Sequence, residues 1–237
     1  MKFLILAALL AVPTIALAQS SDKPARAKAA ANRVVPSLTN DLAAAGLELG
    51  NPVFIRAFKD EKVLEVFVKD AKTGQFKHFR SYPIVAASGK LGPKLAQGDR
   101  QVPEGFYFVN RSRMNPHSRF HLAFNIGYPN AYDRHHKRTG NYIMVHGNRV
   151  SIGCLAMTDA KIEEIYTLCD AALDQGQAFF RIHIFPFRMT DARMKKAADS
   201  KWISYWRDLK PGYDWFEKHN APPNTTVKSG RYVFGAK

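Results

Sequence analysis

The chain has 237 residues, 46% of them hydrophobic, and carries 35 Lys and Arg against 20 Asp and Glu, a net charge of +15. That apolar share is ample for a packed core, and no segment beyond the N-terminal stretch is long and apolar enough to cross a membrane. A charge this basic would suit nucleic acid in a cytoplasmic protein, but no regular basic-aromatic repeat accompanies it.

The N-terminus argues for export. Met1-Lys2 is a short positive start, Phe3 to Val12 is an unbroken apolar run, and Ala16-Leu17-Ala18 has the small-x-small form of a cleavage site. We read residues 1–18 as a signal peptide cut after Ala18, because the apolar run is too short for an uncleaved anchor. A periplasmic location follows, with no nucleic acid partner and no stable membrane span. There a basic surface suits a polyanionic wall or membrane face, or serves solubility alone.

Residues 19–35 are rich in Ala, Lys and Arg without apolar periodicity and read as a flexible basic leader. Pro36 to Leu47 reads as a short helix. Val53–Phe58 and Val63–Val68 are β-branched and aromatic, with Lys72-Thr73-Gly74 as a turn, and Phe76–Ala86 is a further strand candidate. Ser88 to Lys94 is a loop, Pro103-Glu104-Gly105 a turn, and Phe106–Val109 resumes extended structure. Strands are expected at Phe120–Ile126 and Asn141–Val145, separated by a loop from Tyr128 to Arg138.

Thr158 to Gln175 reads as a helix with Thr158 as N-cap and Asp159, Glu163 and Glu164 near its positive end. Ile162, Ile165, Tyr166, Cys169 and Leu173 recur at helical spacing, so Cys169 reads as a small core residue. Phe179–Phe187 alternates as a strand. Asp191 to His219 is expected to be helical with a break at Pro211-Gly212, and Arg231–Phe234 to form a last edge strand. Trp202, Tyr205, Trp206, Trp215 and Phe216 recur at helical spacings and read as core packing.

The chemistry concentrates between Ile143 and Asp159. An apolar strand ends at His146, and Cys154 follows eight positions later across a tight loop. An imidazole beside a thiol can take its proton and return it to a leaving amine. Gly153 lets the backbone turn closely so that amides near Cys154 could face an oxyanion, and Ser151 can add a hydrogen bond. From spacing alone, a free cysteine near an unrelated histidine is the simpler reading. Arg149 suits either a substrate carboxylate or a solvated loop charge. Tyr142, four before His146, suits either substrate contact from the same strand face or ordinary packing. His135 and His136, beside Asp133 and Arg134, lack compact metal-ligand spacing, so neither metal nor cofactor is expected. His117 and His121 read as surface or strand residues.

His146-Gly147 followed by Ser151-Ile152-Gly153-Cys154 resembles the active-site motif of the L,D-transpeptidase (YkuD-like) catalytic domain. The resemblance implies a mainly β, α+β fold, a β-sandwich with accessory helices and a C-terminal helical segment. It also implies Cys154 as nucleophile, His146 as base and Gly147, Ser151 and Gly153 as oxyanion or loop support. Ile152 stands where many members have His or Arg, and Leu155-Ala156 where many have an apolar residue then Arg. With Cys154-Leu155-Ala156-Met157-Thr158-Asp159, these departures resemble the YafK/DpaA-like subgroup. So do Ser88 to Lys94, Gly98-Asp99, Pro103 to Tyr107, Tyr128-Pro129-Asn130, Ile184 to Met189 and Gly212 to Phe216.

The subgroup resemblance implies a thioester mechanism at meso-diaminopimelate of peptidoglycan stem peptides. Its outcome would be hydrolysis of the amide that joins a Braun-type lipoprotein to the wall, with a wall-attached lipoprotein or outer-membrane protein as partner. Cross-link or protein–wall bond formation by transpeptidation is the alternative outcome, and a non-catalytic wall-binding module is the alternative class. Residues 36–237 are then the catalytic domain with its C-terminal helices.

Overall fold

A computed structural model describes residues 24–235; the expected signal peptide and residues 19–23 lie outside them. In chain order the helices are α1 (Ala25–Ala44), α2 (Ala131–His135), α3 (Asp159–Asp174), α4 (Asp191–Lys196) and α5 (Ile203–His219). The first six strands are β1 (Val53–Phe58), β2 (Val63–Lys69), β3 (Phe76–Pro83), β4 (Ala86–Ala87), β5 (Gly105–Asn110) and β6 (Met114–Asn115). The others are β7 (Ala123–Asn125), β8 (Met144–His146), β9 (Leu155–Ala156), β10 (Phe179–Phe185), β11 (Asn224–Lys228) and β12 (Arg231–Gly235).

The fold is mixed α+β. One five-stranded sheet has the order β3-β2-β1-β10-β5 and a second the order β4-β9-β8-β7-β6. Pairing is antiparallel except for β1 with β10 and β8 with β9. The sheets share a core: Ile55, Val66 and Ile182 from the first meet Phe124, Val145 and Leu155 from the second, with α3 packed against both.

β1 shows why the first sheet is buried on both faces. Its side chains alternate, so Val53, Ile55 and Ala57 enter the shared core, while Phe54 and Phe58 face aromatic clusters built with Phe216 and Tyr213 of α5. All six β1 residues are buried.

Several boundaries differ from the sequence reading. Residues 25–35, expected to be flexible, are helical and continue through Pro36 to Ala44. Ala27, Ala30, Leu38 and Leu42 are buried, and the helix packs against α3. Small alanines gave too weak an apolar stripe to reveal that face. α5 likewise runs through Pro211, and the break falls instead between Lys196 and Ile203. Gly212 is there for closeness: a Cβ would collide with the rings of Phe106 and Phe234.

Thr158 flanks α3 but makes no side-chain capping bond, because its φ of 73° turns the hydroxyl away from the capping geometry. The Ile162, Ile165, Tyr166 and Cys169 stripe is buried as expected. The Tyr128–Arg138 loop contains α2, capped by Asn130 and Asp133 in a reciprocal box. The final strand pairs only with β11, as a separate hairpin.

Candidate active site

Parallel pairing of β8 with β9 sets His146 opposite Ala156 and Val145 opposite Leu155, which brings Cys154 beside the start of β8. The Met144 N–H donates to Cys154 Sγ at 3.4 Å, and the thiol contacts the Tyr142 carbonyl at 3.8 Å. The sulfur thus sits on the hydrogen-bonding edge of β8, where a ladder partner would otherwise lie.

The loop that returns the chain is held by its own side chains. Ser151 Oγ donates to the Cys154 carbonyl at 2.6 Å and accepts the Cys154 N–H at 3.0 Å. Gly153 has a φ of 92°, open to glycine at no steric cost, and its N–H donates to Ser88 Oγ at 2.5 Å. The Gly147 N–H donates to the Leu122 carbonyl. The amides of Gly147, Gly153 and Cys154 are therefore all engaged at rest.

Gly147 leaves no room for a side chain, since a Cβ would lie 2.6 Å from Asp159 Oδ1 and 2.7 Å from the Phe120 carbonyl. Asp159 Oδ1 also accepts the Asn148 N–H at 2.7 Å, tying the loop to the first residue of α3.

His146 is 1% exposed and lies 4.7 Å from the Phe120 ring, centroid to centroid. Its Nδ1 bonds the Gly147 carbonyl at 2.5 Å. A carbonyl only accepts, so Nδ1 carries the hydrogen and Nε2 keeps a lone pair. Burial lowers the imidazole pKa, and the bond to Gly147 opposes that only in part. Burial raises the Cys154 thiol, opposed by the Met144 N–H and by the charge of Lys94. Both shifts favour a neutral imidazole and a neutral thiol. His146 ends β8 and Cys154 lies in the loop just before the neighbouring β9, and the two are not hydrogen-bonded to each other.

The rim is exposed. Tyr142 is 69% exposed and Ile152 76%, and Val150 and Phe120 are exposed too. Tyr142 is not on a strand as the sequence suggested: its φ of 52° delays β8 until Met144, so its ring projects outward while its carbonyl faces the sulfur. The Arg149 guanidinium is exposed and makes no hydrogen bond or ion pair among the described residues.

Other candidates lie elsewhere. His136 Nε2 bonds the Gly230 carbonyl at 2.8 Å and its ring packs on Tyr132, so His135 and His136 face the β11–β12 turn. Asp133 is buried on Arg138, Tyr107 and Asn130. Among the described residues no group of three or more His, Cys, Asp or Glu could hold a metal. Cys154 and Cys169 are both free, and Cys169 lies in the core.

Sequence reasoning named Ser88, Lys94 and Asp159 only within a loop, a helix start and the subgroup motif, and it did not recognise them or Phe120 as supports of the site. Lys94 Nζ donates to the Ala96 carbonyl and to Asp99, inside a loop whose Gly92 and Val102 carbonyls are held by Lys59. Glu104 accepts from Lys59, the Gly92 N–H and Trp206 Nε1, fastening that loop to α5. Only Ser88, Lys94 and Glu104 lie in glycine- or proline-marked loops, and no local signal marked Phe120.

The L,D-transpeptidase catalytic domain (YkuD) profile matches residues 52–228. The Escherichia coli (strain K12) protein named "Putative L,D-transpeptidase YafK" is 49% identical over 185 residues, which cover 78% of this chain and 74% of that protein. Among solved structures, the chain is similar to the helical cell shape determining protein Pgp2 (K307A mutant) from Campylobacter jejuni, with 21% identity, a TM-score of 0.47 and coverage of 80% of this chain and 64% of that one. Bd1075 of Bdellovibrio bacteriovorus is similar at 20% identity and a TM-score of 0.38, covering 69% of this chain and 60% of that one.

Proposed function

The chain belongs to the L,D-transpeptidase catalytic domain family, which acts on peptidoglycan, and from that membership we propose a periplasmic hydrolase of the amide between a Braun-type lipoprotein and the wall. The observation that carries the chemistry is the pinned His146 tautomer, with Nε2 unprotonated, on the strand beside the half-buried thiol of Cys154.

In this reading Nε2 takes the thiol proton as Cys154 Sγ attacks the diaminopimelate carbonyl carbon. The C–N bond breaks, the lipoprotein's amine leaves with that proton, and a thioester remains. Water then attacks the thioester, its proton passing to Nε2 and on to the sulfur, and the stem peptide departs as a carboxylate. The imidazole and thiol close on each other when substrate binds, as such pairs tighten in reactive complexes. Ser151, Gly153 and Gly147 hold the loop. Arg149 meets a substrate carboxylate and Tyr142 packs on the stem peptide.

Hydrolysis is favoured over transpeptidation by the openness of the rim: Asn148, Arg149, Val150 and Ile152 are all exposed beside a half-buried thiol, so water reaches the acyl group. No helix among the described residues is long and apolar enough to cross a membrane.

The test is to incubate purified protein with sacculi carrying covalently attached lipoprotein and to follow products by mass spectrometry. Free lipoprotein with intact tripeptide stems is expected, and Cys154→Ala should release none. New diaminopimelate-to-diaminopimelate dimers or new protein–wall bonds would make it a transpeptidase. Turnover at the wild-type rate in Cys154→Ala would remove the thioester mechanism, and binding without any turnover in the wild type would leave a wall-binding module.

A further inference from the structure

β1 leads from Val53 to Lys59, whose ammonium holds the loop beside the candidate site. At its other end, roughly 20 Å away by strand rise, a cavity of about 640 Å³ opens between the first sheet and the C-terminal part of α5. Its position separates it from Cys154, and its lining has a different chemistry.

Two half-buried cations enter it from the strands on either side of β1. Arg181 of β10 sits opposite Phe54, and Lys69 of β2 donates its amide to the Pro52 carbonyl. The Arg181 guanidinium donates to Asn224 Oδ1 at 2.6 Å and lies 5.1 Å from the Phe179 ring centroid. Neither Arg181 nor Lys69 makes an ion pair among the described residues, and no Asp or Glu lines the cavity.

The most deeply buried cations are matched by carboxylates, and the half-buried Arg113 donates to the Phe108 carbonyl. Arg56 has Glu65 and Glu217, Lys59 has Glu104, Lys94 has Asp99, and Arg138 has Asp133. A desolvated cation without a counter-charge is costly, and burial does lower the Arg181 pKa. Two cations without a carboxylate partner lining one cavity are the arrangement that an incoming anion stabilises. The remaining wall combines small and apolar residues with a few aromatic rings. Trp215, with the His219 ring tilted against it at 4.5 Å between centroids, and Phe76 offer apolar ring surfaces. The volume suits a small organic molecule rather than a bare ion.

We propose that this cavity binds a sugar-sized ligand carrying one anionic group, a carboxylate or a phosphate, with the charge between Lys69 and Arg181 and the ring against Trp215. The site is independent of the chemistry at Cys154.

Calorimetric titration of the full chain tests it, with N-acetylmuramic acid as the carboxylate probe, glucose 1-phosphate as the phosphate probe and N-acetylglucosamine as the neutral control. At least one anionic sugar should bind, and the neutral sugar should bind at least about tenfold more weakly. Lys69→Gln and Arg181→Gln should each weaken the anion by about ten- to a hundredfold, and Cys154→Ala should leave its affinity unchanged. Binding of the carboxylate alone identifies an acidic sugar as the ligand class, and of the phosphate alone a sugar phosphate. If Arg181→Gln does not fold, Lys69→Gln decides, because its ammonium makes no contact that the fold needs. Equal binding of neutral and anionic sugars, undiminished binding by the variants, or no saturable heat at millimolar ligand each overturns the proposal.

Discussion

Cys154 and His146 are each shifted by burial towards their neutral forms. That sets a test at the scale of one residue. A pre-formed thiolate–imidazolium pair would alkylate at a rate that levels off on the acid side. A neutral thiol raised above its ordinary value of about 8.5 ionises only as pH climbs past that value. Iodoacetamide labelling of Cys154, read by mass spectrometry, is therefore expected to keep rising through pH 8.5 and beyond. A plateau reached below pH 7 would mean that the ion pair exists at rest. Cys169, fully buried and pushed up further, should stay unlabelled until the protein unfolds. The candidate pair itself was legible, because a strand ending in His-Gly and a Ser-x-Gly-Cys loop lie within nine residues of one another. The hydrogen on Nδ1 was not, since it depends on where the Gly147 carbonyl points.

Among the elements, α1 departs most from its sequence. Half of it reads as a basic leader, yet it packs on α3, and Arg33 reaches Glu163 through two bonds while Glu163 also binds His121. Arg33 is exposed and that pair contributes little by itself. The stabilising part is Leu38 and Leu42, both fully buried in the shared core. Leu38→Ala should then cost about 2–5 kcal/mol in urea unfolding, with no change in the wall-release assay per folded molecule. A cost under about 0.5 kcal/mol, the range of surface substitutions, would show that α1 is a detachable leader after all. The β strands were far easier to read: Val53–Phe58 and Phe179–Phe185 are mostly β-branched and aromatic, while Ala-rich helical faces give little hydrophobic contrast. β8 was misplaced because a positive φ at Tyr142 ends the extension that its neighbours suggest.

For the whole molecule, His183 is expected to weigh most on the acid limb of stability. It is 1% exposed between Phe54 and Phe106, its Nδ1 has no hydrogen-bond partner, and burial with the nearby charges of Arg181 and Arg56 holds its pKa well below the ordinary value. The folded state thus refuses a proton that the unfolded chain accepts. Below about pH 6.5 the unfolded form binds more protons, so stability falls as pH falls, by about 1.4 kcal/mol per pH unit for this one group. His183→Leu should flatten that limb in chemical denaturation between pH 4 and 6.5, whatever it does to stability at pH 8. An unchanged slope would show that other groups set the acid limit.

The sequence by itself determined the α+β character, the principal strands and the family, and it singled out Cys154 and His146 as the candidate pair, because each rests on residues close together in the chain or on a local pattern. Only the tertiary structure decided which side chains surround them. Ser88, Phe120 and Lys94 reach the site from loops and turns tens of residues away. Arg181 and Lys69 share a cavity because β10 and β2 flank β1. Contacts of that kind are set by which strands neighbour one another in a sheet, and pairing partners far apart in sequence leave no periodicity to read.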